Sequence, residues 1–255
     1  MTATVPTRIV ALAPDVAELA FAAGLADRVV AVATAVDYPE AARGLRRVAL
    51  TDVEAIVAVA PDLVLATTAG NDPRTIDRLA AAGIAVCTFD VTSFDRLVEA
   101  CRLLARLNGQ DPGTDALAAR LHDRAETATR RGAILPRRGA LYVVWWDPLI
   151  VAAPGTFHDD LLRRAGLTNL APTGAGRYPR LDPELLGEPR LERLVAPDEG
   201  ELRSGLAAIA TTPVGRLIAT RGILIYWLPA DPASRPGPRL VDALDSLVAA
   251  REAAP

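Results

Sequence analysis

From Arg8 to Phe89 short apolar runs alternate with amphipathic segments, and this alternation constrains the fold more than any other feature. Arg8–Leu12, Val29–Ala33, Asp62–Ala66 and Ile84–Phe89 are rich in Val, Ile or Leu and read as strands. Val16–Ala23, Val53–Val59 and Pro73–Ala82 between them read as helices. The last has Asp72 as N-cap, Pro73 at the first helical position and Gly83 past its end. Strands alternating with helices imply a parallel sheet covered on both faces.

The pattern then changes. Thr92–Asn108 reads as a helix opened by a capping-box-like Thr92…Asp95 and closed near Gly109. A second helix is expected from Asp111 and Pro112 to about Arg131, with Leu117, Leu121, Ala125 and Ala128 along one side. Twenty helical residues span roughly 30 Å, enough to pass from one lobe to another. After the basic RRGAILPRRG a second α/β set follows. It comprises strand Ala140–Trp146, helix Phe157–Ala165, short helix Pro183–Leu186, strands Leu191–Ala196 and Ile223–Leu228, and closing helix Pro238–Ala250. The expected fold is α/β: two Rossmann-like α/β lobes joined by a long rigid connecting helix. The expected division is 1–92 for the first lobe, 93–138 for the helical connector and 139–255 for the second. EAIVAVAPDLVLA echoes PELLGEPRLERLVA, which places Glu54 and Glu184 at equivalent points of a duplicated architecture.

The net charge of −3 argues against a nucleic-acid partner, which needs a basic face. All 28 basic side chains are arginine. The two cysteines, Cys87 and Cys101, lie in apolar patterns and read as buried free thiols, with a disulfide between them as the alternative. No run approaches the roughly 20 apolar residues of a membrane span, and nothing like an export signal precedes the first strand. A transition-metal site needs several converging ligands, and the chain has only His122, on a helix face, and His158, beside Asp159 and Asp160 at a helix start. G-x-S-x-G, H-E-x-x-H, a Walker A loop and a dinucleotide fingerprint are all absent, so no catalytic residue is assigned.

In order along nearly the whole chain, several segments resemble the periplasmic binding proteins of the cobalamin and siderophore type. They are RIVALAPDVAELAFAAGLADRVVAVATAVDYPEAA, VEAIVAVAPDLVLATTAGN, WWDPLIVAAPGTFHDDLLRRAGLTNL and RYPRLDPELL. The resemblance implies a non-enzymatic, monomeric solute-binding component of an ABC importer. Such a component takes a cobalamin-like or iron-chelate ligand between its lobes, needs no further cofactor, and works outside the cytoplasm. The alternative is a cytosolic sensor or carrier on the same fold without a permease partner.

In open α/β sheets ligands bind at the carboxyl ends of strands. That rule selects Pro14, Asp15, Asp37, Tyr38, Thr67 and Gly70 in the first half. In the second it selects Trp145, Trp146, Phe157, Tyr178, Trp227 and Arg235. Aromatics are only 4% of the chain, yet most of its Trp and Tyr residues fall here, as a large planar ligand requires. By the resemblance, Tyr178, Trp145, Trp227 and Arg235 match ligand-contact regions, and Glu54 and Glu184 match acids that dock onto permease arginines. Ala35 stands where the cobalamin-binding branch has a stacking tyrosine, so the first lobe offers a less aromatic wall.

Overall fold

The computed structural model describes residues 5–109 and 112–254. The chain divides into two compact units: Met1–Val91 with Asp95–His122, and Thr92–Phe94 with Asp123–Pro255.

The first unit holds β1 (Ile9–Ala11), α1 (Pro14–Ala22), β2 (Val29–Ala33), β3 (Arg46–Val48), α2 (Val53–Val57), β4 (Leu63–Thr67), α3 (Pro73–Ala81), β5 (Ala85–Phe89) and α4 (Phe94–Leu107) from Asp95 onward, its first residue Phe94 belonging to the second unit. Its sheet runs β3-β2-β1-β4-β5. Every pairing is parallel, as the alternation requires. Central β1 is fully buried, and Val10, Leu12, Val64, Ile56 and Leu79 form the core beside it. The Asp72 carboxylate accepts from Arg74 N–H at 2.9 Å, and Gly83 adopts φ +81°, so both ends of α3 follow the sequence signals. The expected Thr92 start of α4 moves to Phe94, whose N–H donates to the Asp160 carboxylate at 2.9 Å. β3 was not anticipated: an edge strand with only Val48 buried leaves almost no apolar pattern.

α5 (Pro112–Ala133) follows, and the division between the units falls within it, after His122. Leu117, Leu121, Ala125 and Ala128 are buried as expected. The proposed start at Asp111 lies outside the described residues.

The second unit continues with β6 (Arg138–Trp146), β7 (Leu149–Val151), α6 (Phe157–Arg164), β8 (Leu167–Asn169), a 3-10 turn Pro183–Gly187, β9 (Leu191–Pro197), α7 (Gly200–Ile209), α8 (Pro213–Arg221), β10 (Leu224–Leu228), α9 (Ala230–Ser234) and α10 (Leu240–Ala253). Its sheet runs β10-β9-β6-β7, with β8 also on β6. β8 and β9 pair β6 in parallel, whereas β7 folds back antiparallel, so this sheet is mixed. The strands β6, β8, β9 and β10 repeat the arrangement of β1, β2, β4 and β5: first strand central, second on one side, third on the other, fourth outside the third. The sequence echo around Glu54 and Glu184 therefore lies at the same topological step of each sheet.

One close approach fixes the start of this unit. A Cβ on Gly132 would lie 2.6 Å from the Arg164 carbonyl, and one on Gly166 2.2 Å from the Gly132 carbonyl. Gly166 also has φ +77°, so both positions exclude larger residues.

Candidate functional site

In the first unit the ends of β1 and β4 are laced together. Pro14 opens α1, which places Asp15 in its first turn. Burial pushes the Asp15 carboxyl pKa up, against hydrogen bonds from the Val16 and Asp15 amides and the Thr67 side chain. Thr67 closes β4 and is itself buried. Asn71 accepts from Thr67 N–H at 2.8 Å through its side-chain oxygen and donates to the Leu12 carbonyl at 2.9 Å. Gly70 is exposed in the turn between them. Asp37 and Tyr38 are exposed in the loop after β2, ahead of a cis Tyr38–Pro39 bond. Arg47 holds that loop through the Ala33 carbonyl at 3.4 Å and the Val36 carbonyl. Pro14, Asp15, Thr67 and Gly70 thus share one strand-end floor, with Asp37 and Tyr38 in the next loop of the same sheet.

In the second unit Phe157 opens α6, capped by Thr156, whose hydroxyl accepts from Asp159 N–H at 3.2 Å. The next residue, His158, is enclosed by rings. Phe157 lies 3.7 Å away between centroids, Tyr142 4.2 Å, and Tyr178 5.8 Å edge-on. Burial lowers the His158 pKa to about 3, against a hydrogen bond to the Ala233 carbonyl. The Tyr142 hydroxyl donates to the same carbonyl at 2.7 Å. The imidazole is therefore neutral and its Nδ1 sealed, which excludes it as a base for an outside substrate. Asp159 is engaged with Asn169 and Gly155, and Asp160 with Phe94 and Arg164. Among the described residues no group of His, Cys, Asp and Glu converges as a metal site. His122 is exposed on α5. Cys87 is half-buried and Cys101 buried, both as free thiols.

Tyr178 rests against His158 yet stays 42% exposed. Burial raises its phenol pKa, so the presented group is a neutral ring. Trp227 on β10 is half-buried beneath the Arg203 guanidinium, 4.1 Å above its ring, and Arg203 is held in turn by Asp198. Arg235 lies 3.6 Å from Asp231, which Arg239 also approaches. In the β6–β7 hairpin Trp145 is 42% exposed with its indole N–H on the Asp147 carbonyl at 2.9 Å, whereas Trp146 is buried in the core. Tyr142 and Arg203 belong to these clusters without having been singled out in the sequence, and His158 was weighed there only as a metal ligand. The only available signal was the Phe-His pair at a capped helix start.

Glu54 and Glu184 are both exposed, each two residues past an N-capping aspartate, Asp52 or Asp182.

A sequence profile of the periplasmic binding protein family matches residues 9–190. A vitamin B12-binding protein from Yersinia pestis (strain Pestoides F) is 31% identical over 180 residues, 69% of this chain. The chain spans 64% of the length of that curated relative. Among solved structures, the periplasmic vitamin B12 binding protein BtuF of Vibrio cholerae superposes with a TM-score of 0.84 at 25% identity, covering 98% of each chain. The periplasmic heme-binding protein BhuT, in complex with two hemes, gives 0.82 at 28% identity over 96% of this chain and 98% of its own.

Proposed function

We propose that this chain, which belongs to the periplasmic binding protein family, is the solute-binding component of an ABC importer. Its ligand is a large planar or chelated one, a corrinoid or an iron chelate such as haem or a ferric siderophore. The observation that carries this reading is the strand-end face of the second unit. There Tyr178 is held half-exposed against a buried, neutral His158, and Trp227 lies under a fixed guanidinium. Flat apolar surface with few charges suits a broad ring system. The similarity to proteins named for vitamin B12 and for heme supports the same ligand class.

In the first unit Ala35 is exposed where a stacking ring would widen the contact, so the second unit supplies most of the aromatic area. Iron chelates with smaller or more polar rims therefore stand beside corrinoids in this reading. The importer's permease docks at Glu54 and Glu184, whose matched placement in the two sheets supports a paired, orienting contact. The working location is extracytoplasmic.

Titrating cyanocobalamin, haemin and ferric hydroxamates while following tryptophan fluorescence tests the ligand class. At least one should quench emission saturably, and Tyr178→Ala should weaken that ligand about tenfold, the loss of one stacked ring. Absence of any saturable change with all three overturns the reading.

A further inference from the structure

A surface outside the aromatic face around Tyr178 lies between the β6–β7 hairpin and α7. A cavity of about 190 Å³ opens there, lined by Trp145, Trp146, Asp147, Glu201, Ala208 and Thr212 among others. Consecutive residues of a strand normally face opposite sides. Trp145 and Trp146 follow that rule, the first exposed and the second buried in the core, and the cavity borders both. Trp145 is 42% exposed, but its N–H on the Asp147 carbonyl fixes the ring, so an open aromatic surface is presented in one orientation. Gly205 lets α7 lie against Trp146, since a Cβ there would stand 3.1 Å from the indole.

The charge of the lining has one sign. Asp147 and Glu201 are its only ionisable groups, and no arginine lines it although arginine is abundant in the chain. One exposed indole with two carboxylates and no cation in the lining is the chemistry that holds an organic ammonium group by cation–π attraction and long-range charge.

We propose that this cavity binds a small organic cation of the quaternary or alkyl ammonium class. The proposal does not rest on the uptake reading, which stands on Tyr178 and Trp227, although Trp145 and Trp146 are among the residues that the strand-end rule selects. Isothermal titration of the whole protein with choline, and with its uncharged isostere 3,3-dimethylbutanol, tests it. Choline should bind and the isostere should not. Trp145→Ala and Glu201→Gln should each weaken choline about tenfold. Ala208→Phe fills the cavity from the exposed side of α7 and should abolish binding, with unfolding temperature and circular dichroism reporting that the fold is kept. Equal binding of choline and isostere, binding that survives Ala208→Phe, or no choline binding at all overturns the proposal.

Discussion

His158 shows how far one side chain's surroundings govern its chemistry. Its folded pKa of about 3 lies below the ordinary 6.5 because burial penalises the charged ring. Below about pH 6.5 the unfolded chain takes up a proton that the folded chain does not, so stability falls as pH drops from 6.5 toward 3. The slope is about 1.4 kcal/mol per pH unit in that window. His158→Phe should remove this component: urea midpoints of variant and wild type should converge between pH 7.5 and 5. A constant difference across that range would refute it. The rule that ligands sit at strand ends selected Phe157 and Tyr178 but passed over His158 and Tyr142. A histidine between phenylalanine and two aspartates reads as part of a polar helix start, and only the fold brings Tyr142 and Tyr178 around it.

Among elements, the strands of the first sheet were read most closely. β1, β2, β4 and β5 sit in a parallel sheet, and their near-continuous apolar runs were readable to within a residue or two. β3, β7 and β8 are three-residue pieces at sheet edges and carry no period. α7 was missed because Gly200, Ser204 and Gly205 dilute its helical signal. α8 had a legible frame: Thr212 as N-cap, Pro213 at the first turn and Gly222 in a left-handed C-cap, with one exposed face between them. Two contacts that join elements make testable claims. Asp160 accepts from Phe94 N–H and Arg164, while Arg164 reaches Glu126 at 2.9 Å. Asp160→Asn leaves Arg164 buried with half its compensation and should cost about 3 kcal/mol in chemical denaturation. At the Gly132–Gly166 approach, alanine at either site should lower stability by about 2 kcal/mol, whereas alanine at Gly187, where a Cβ meets nothing within 4 Å, should change little. The double variant should fall short of the sum, since both substitutions break one contact.

For the whole molecule, the α/β class and the presence of two units were legible from the alternation of strand and helix patterns. The partition of the helical segment was not. Periodicity runs unbroken along α5, and the division after His122 depends on which neighbours each half packs against. The mixed character of the second sheet was hidden too, because β7 is created by the turn at Asp147–Pro148. The proposed uptake role is tested at this scale. Glu54→Arg with Glu184→Arg should abolish uptake in cells and leave ligand affinity within about twofold, because exposed charges contribute little to the fold. Undiminished uptake would remove the docking assignment. In the repeated strand order each half closes its own sheet and core, so loops at one set of strand ends can change length or sequence without disturbing the packing of the other half.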